Sequence, residues 1–182
     1  MSVKKDFILP VTVLSLICLV ISGALAVVNN LTKPVIENAA SQRAAAARQD
    51  IIPAAEGFEL IEAEGLPKRI TEVYRTTNNV GYIFMITTHG YAPEDIKMIC
   101  GIDPEGKVIK TATLSQNETQ GLGTPIFEQP HAGQYWGRDR SGIEGVAAIS
   151  GATITSNAYK NGIRDAFAAF EIVKTLRAGG GK

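Results

Sequence analysis

With 182 residues, the chain has room for one ordinary domain and an anchor but not for two full domains. Its 18 lysines and arginines balance 18 aspartates and glutamates, so no net charge draws it toward nucleic acid or strongly acidic substrates. The two cysteines, Cys18 in an apolar run and Cys100 in a strand-like segment, exclude a disulfide framework, and His89 and His131, far apart and without cysteines at ligand spacing, exclude a zinc centre.

From Phe7 to Val28 the chain carries 22 residues without a charge. As a helix they reach about 33 Å, enough to cross a bilayer core of about 30 Å. Pro10 falls near the start of that run, and Thr12, Ser15 and Ser22 can bond back onto a helix. Lys4 and Lys5 precede the run and only Lys33 follows it closely, a bias that predicts a cytoplasmic N-terminus with the rest of the chain outside. A cleaved signal peptide is the competing reading, since Ala24-Leu25-Ala26 has the small-x-small form of a cleavage site, but the apolar stretch is longer than a signal core requires.

Between Pro34 and Asp50 an alanine-rich segment with Glu37, Arg43 and Arg48 predicts a helix opened by Pro34 and stopped by Pro53, serving as a spacer or a docking surface. Two hairpins follow. Ile70–Thr76 and Val80–Thr87 are rich in strand formers and flank Asn78-Asn79; Ile96–Ile102 and Val108–Ser115 flank the turn sequence Asp103-Pro104-Glu105-Gly106. After Ser156, the residues Tyr159, Ile163, Ala166, Phe167, Phe170 and Val173 recur at helical spacing and give one apolar face able to cover a sheet. The fold class predicted is therefore α+β.

Two loops carry the chemistry. Asn117-Glu118-Thr119-Gln120-Gly121-Leu122-Gly123 is polar and punctuated by glycine, which suits either an ordinary turn or a binding loop. Ser150-Gly151-Ala152-Thr153-Ile154-Thr155-Ser156 leads into the last helix, whose first N–H groups lack intrahelical partners and carry the positive end of the macrodipole, so a phosphoryl group on Thr153 would be held there. The simpler reading of this loop is a helix cap through Thr155 or Ser156. No nucleophile elbow, phosphate loop or paired catalytic carboxylates is recognisable, so no catalytic residue and no metal ligand is assigned.

Taken together, Ser150–Ser156 and Glu118–Gly123 resemble the S/T-G-A-T-x-T/S signature and the E-T-P-G-L-G loop of the flavin-binding domain shared by the G subunit of the Rnf electron-transport complex and the C subunit of the sodium-pumping NADH:quinone reductase. The short chain favours the Rnf subunit. Two positions depart from the family pattern: Gln120 stands where proline is usual, and Ala147 where many members have aspartate. The resemblance implies FMN joined through its phosphate to Thr153 by a separate flavin transferase, with Ser150, Gly151, Ala152 and Thr155 around the phosphate and Glu118, Thr119, Leu122 and Gly123 around the flavin. Tyr91 admits two readings, a wall of the same pocket or partial burial at a strand start.

The expected organisation is a cytoplasmic N-terminus over 1–6, a transmembrane helix over 7–28, a helical stalk or linker over 29–55, an antiparallel-sheet FMN-binding domain closed by a helix over 56–177, and a flexible tail over 178–182. The function implied is a single-pass cell-membrane flavoprotein with its FMN domain extracytoplasmic. It relays electrons among the membrane and peripheral subunits of an Rnf-type complex that couples ferredoxin and NAD to ion movement. The alternatives are a membrane-anchored binding module without a redox group, or a flavinylated subunit of another extracytoplasmic reductase.

Overall fold

The computed structural model describes residues 3–179. The first element, α1, runs from Val3 to Ile51 as one continuous helix, and the chain divides within it, between Arg43 and Ala44, into two compact units. In the first unit the helix is long and apolar enough to cross a membrane, and Leu9, Leu14, Leu19 and Leu25 are all exposed. The Thr12 hydroxyl donates to the carbonyls of Ile8 and Leu9, the local satisfaction that an apolar medium demands. Pro34 does not open a second helix but lies inside this one. Its ring removes a single N–H, the donor to the Asn30 carbonyl, and the helix continues past it.

In the second unit, five strands form an antiparallel meander in the order β1 to β5: Phe58–Leu60, Ile70–Thr76, Tyr82–His89, Asp95–Ile102 and Val108–Ser115. Both predicted hairpins are present, β2 with β3 and β4 with β5, and β3 also pairs with β4 along its whole length. The turn after β2 is held by Thr76, whose hydroxyl accepts from the Gly81 N–H, and by Asn79 in a left-handed conformation, φ 56°. The short edge strand β1 was not predicted. Its three residues leave no room for a periodic pattern, and pairing with β2 alone defines it.

The sheet is covered on both faces, for different reasons. On one face lies the last helix, α3, from Thr153 to Gly179, with Tyr159, Ile163, Ala166, Phe167, Phe170 and Val173 buried against Phe84, Ile86, Met98 and Ile102. Side chains of this kind contribute roughly 1.5–3 kcal/mol each when fully buried. The other face receives the end of α1 and the turn after it: Ile51, Ile52 and Ala55 pack on Ile83 and Ile99. Gly101 permits that approach, since a Cβ there would stand 2.4 Å from Ile51 Cγ2. Cys100 is fully buried in β4, and burial pushes its thiol well above its ordinary range, which makes it an inert core residue.

Between β5 and α3 the chain makes short 3-10 turns at Thr124–Phe127, Gly133–Tyr135 and Gly142–Gly145, and one short helix, α2, at Gln129–Ala132. Periodicity predicts no element here, because each piece is shorter than the window that periodicity needs. Its anchors are Ile126, Tyr135 and Ile143, all buried in the core shared by sheet and α3. Burial raises Tyr135 to about 12. The Tyr159 hydroxyl donates to Thr111 Oγ1 at 2.9 Å, and Trp136 Nε1 donates to the same oxygen at 3.2 Å, which ties helix, strand and connecting segment together. Residues 180–182 of the expected tail lie outside the described residues.

Candidate functional site

The N-terminus of α3, the 117–123 loop and the turn between β3 and β4 meet around one cavity of about 490 Å³. That volume falls within the roughly 300–1,000 Å³ usual for small-molecule sites. Its walls are Tyr91 from the turn, Glu118, Thr119, Leu122 and Gly123 from the loop, and Gly151, Ala152, Thr153, Ile154 and Thr155 from the helix start. Every residue that the sequence assigned to the site is among them except Ser150, which is exposed outside the lining. Ile154 was not assigned. An apolar residue left exposed in a first helical turn is the signal that would have found it.

At the helix start the two threonines point opposite ways, as residues two apart on a helix must. Thr153 is exposed and Thr155 is buried, 1 % accessible. Gly151 has φ 83°, a left-handed turn that glycine adopts at little cost, and it directs the chain into the helix. The first helical bond runs from the Ser156 N–H to the Ala152 carbonyl. No acceptor among the described residues faces the N–H groups of Thr153, Ile154 and Thr155, so they are free to meet an anion. Among the described residues, no lysine or arginine lines the cavity.

Neither Thr155 nor Ser156 caps the helix. The Ser156 hydroxyl lies one turn inside and accepts from the Ile149 N–H at 3.1 Å, which fixes the loop that precedes the helix. The Thr155 hydroxyl donates to Glu118 Oε2 at 2.8 Å. The cap reading fails because the helix begins at Thr153, two residues before the first of those hydroxyls.

Glu118 is the organising side chain. It is 7 % accessible; its Oε1 accepts from the N–H groups of Tyr91 at 2.9 Å and Ala92 at 3.1 Å, while Oε2 holds Thr155. One carboxylate thus clamps the β3–β4 turn to the start of α3. Two glycines make space for it: a Cβ on Gly90 would stand 2.2 Å from Glu118 Oε1, and one on Gly123 would stand 2.8 Å from Glu118 Cβ. Glu118 thus lines the cavity with both of its oxygens engaged by the protein.

The rest of the loop closes on itself. The Thr119 carbonyl accepts from the N–H groups of Leu122 and Gly123, and Gly121 N–H donates to the Thr124 hydroxyl, with Gly121 at φ 76°. Gln120 is exposed on this turn. Tyr91 is 72 % exposed and lies in a turn rather than at a strand start, so the partial-burial reading is set aside. With Leu122 at 49 % and Ile154 at 57 %, it gives the cavity exposed apolar side chains beside the buried polar groups of Glu118 and Thr155. His89, next to the turn, is exposed and paired with Asp95 at 3.2 Å, outside the cavity.

The profile of the FMN-binding domain family matches residues 90–168, a span that contains the whole cavity lining. The chain is 31% identical, over 180 aligned residues, to the G subunit of the Na(+)-translocating ferredoxin:NAD(+) oxidoreductase complex of Acetobacterium woodii, with 82% of this chain and 86% of that one covered. It is also 31% identical, over 109 residues, to the G subunit of the proton-translocating ferredoxin:NAD(+) oxidoreductase complex of Clostridium ljungdahlii, covering 55% and 57%. The chain belongs to the G-subunit family of the Rnf-type ferredoxin:NAD(+) oxidoreductase complexes.

Proposed function

We propose that this protein is a membrane-anchored flavoprotein subunit that carries FMN as a phosphoester of Thr153 and relays electrons within a ferredoxin:NAD oxidoreductase complex that moves ions. The observation that carries the reading is the exposed Thr153 hydroxyl, set in a cavity of about 490 Å³ at a helix start whose N–H groups have no protein acceptor among the described residues. A phosphate on that oxygen meets the backbone donors of residues 153–155 and the positive end of the α3 dipole. That no described basic side chain joins the lining is then no obstacle, because the covalent bond removes any requirement for affinity.

Attachment exchanges the Thr153 O–H for an O–P bond: on the transferase, the phosphoanhydride bond of an activated flavin nucleotide breaks, the flavin phosphate passes to the Thr153 oxygen, the other nucleotide half leaves as a phosphate monoester, and the hydroxyl proton goes to solvent. Thr153 suits that reaction because it is exposed to a second protein, whereas Thr155 is buried and engaged with Glu118. When bound, the flavin supplies one- and two-electron chemistry. The protein's part is orientation: the 117–123 loop and the helix start hold opposite walls, and Tyr91, Leu122 and Ile154 shield an apolar face from water.

The apolar stretch of α1 serves as the anchor, with the N-terminus cytoplasmic and the flavin domain on the other face; protease protection in oriented vesicles reads that topology. The attachment itself is tested by Thr153→Ala. Protein produced with the transferase is expected to show covalent flavin fluorescence on a denaturing gel, with the modified peptide containing residue 153 by mass spectrometry, and the variant to show neither. Fluorescence retained in the variant overturns the assignment.

A further inference from the structure

The buried carboxylate of Glu118 does something that its hydrogen bonds do not require. Two of its three donors are backbone N–H groups and the third is a hydroxyl. An isosteric glutamine would serve all of them, its carbonyl accepting from Tyr91 and Ala92 and its amide donating to Thr155 Oγ1, which can accept. Burying a charge costs more than burying an amide unless the charge is paired. Yet among the described residues no lysine, arginine or histidine lies within ion-pair distance of Glu118. The dipole of α3, reached through Thr155, eases the cost without cancelling the charge. Gly90 and Gly123, which leave room for this side chain, mark it as built into the fold.

Glu118 shares the cavity wall with Thr153. A fixed negative charge in the wall of a cavity opposes the arrival of each electron on a redox group held there, and the low effective dielectric of a protein site strengthens that opposition. We infer that Glu118 sets the reduction potential of the flavin attached at Thr153, holding it lower than the same cavity would without the charge. The inference rests on the attachment reading above. Glu118 acts here through the field of its carboxylate, and its clamp on the two walls keeps that charge at a fixed distance.

The test uses the full chain produced with the transferase and purified in detergent, with the flavin absorbance titrated against electrode potential. Glu118→Gln is expected to carry wild-type flavin content and a midpoint shifted to more positive potential, while Glu94→Gln, an exposed carboxylate on the β3–β4 turn, leaves the midpoint unchanged. Loaded Glu118→Gln with an unchanged or more negative midpoint overturns the inference. So does a folded Glu118→Gln that stays unloaded beside a loaded wild type, since the carboxylate would then act in attachment. Should Glu118→Gln fail to fold, Glu118→Asp decides: it keeps the charge and is expected to stay near the wild-type midpoint, and a positive shift there overturns the inference. Wild-type protein without covalent flavin refutes instead the attachment reading.

Discussion

Gly90→Ala puts the clamp under direct load. The added methyl would stand 2.2 Å from Glu118 Oε1 and 2.7 Å from Ile96 Cδ1, the second a fully buried side chain of β4 with no freedom to withdraw. Relief must therefore come from the carboxylate. Moving Oε1 by about 1 Å carries it out of hydrogen-bond range of Tyr91 or Ala92, or strains the bond from Thr155. Overpacking a filled site costs about 1–3 kcal/mol, and losing one hydrogen bond to a charged group costs about 1.5–3 kcal/mol. Together these give roughly 2.5–6 kcal/mol, which for a unit of this size lowers Tm by roughly 7–25 °C. Thermal unfolding followed by circular dichroism reads the loss, with Gly133→Ala as the control: its nearest neighbours would lie at 3.7 and 3.9 Å, and its backbone is helical at φ −64°. That control should change stability by less than about 1 kcal/mol, in the stabilising direction. A Gly90→Ala protein that melts within a few degrees of wild type would mean that the Glu118 carboxylate has room to move, and the rigid clamp would be refuted.

Two further outcomes follow from buried polar groups. Tyr159→Phe removes the donor to Thr111 Oγ1 but leaves Trp136 Nε1 on that oxygen, so it should cost about 0.5–1.5 kcal/mol in denaturant unfolding; a loss several times larger would mean that the hydroxyl does more than join helix to strand. His131 is buried with its Nε2 unpartnered among the described residues, and desolvation, followed by the nearby Lys160, holds its pKa below the ordinary 6.5. The unfolded chain then binds the proton more readily, so the stability that neutral His131 contributes is full above pH 6.5 and is lost as pH falls below it. Tm measured between about pH 5 and 7 should decline toward acid, and His131→Leu should flatten that slope; an unchanged slope in the variant assigns the decline to another group.

Much of this architecture is written in local pattern. Alternating apolar residues with strand formers mark β2 to β5, and the spacing of Tyr159, Ile163, Phe167 and Phe170 marks the buried face of α3. The uncharged run of α1 and the small-residue loop before Thr153 are equally legible, because length and composition suffice to read them. Three features were not. Pro34 reads as a helix start but sits within a helix, since the cost of one missing donor is decided by what its neighbours can supply. β1 is too short to carry a period and exists by pairing alone. The helix boundary at Thr153 turned two presumed caps into interior residues, one of them pointing at Glu118.

By itself the sequence determined which segments carry which chemistry: an apolar helix, an antiparallel sheet, a covering helix, and two glycine-punctuated loops around Glu118 and Thr153. These are properties of short windows, where periodicity, turn residues and free helix amides act without reference to the rest of the chain. Only the tertiary structure decided that Glu118 is buried, that it joins residues 27 and 37 positions away, and that Thr153 faces outward while Thr155 faces in. The reason is physical: burial and charge depend on which distant atoms replace water, and no local spacing along a chain specifies that.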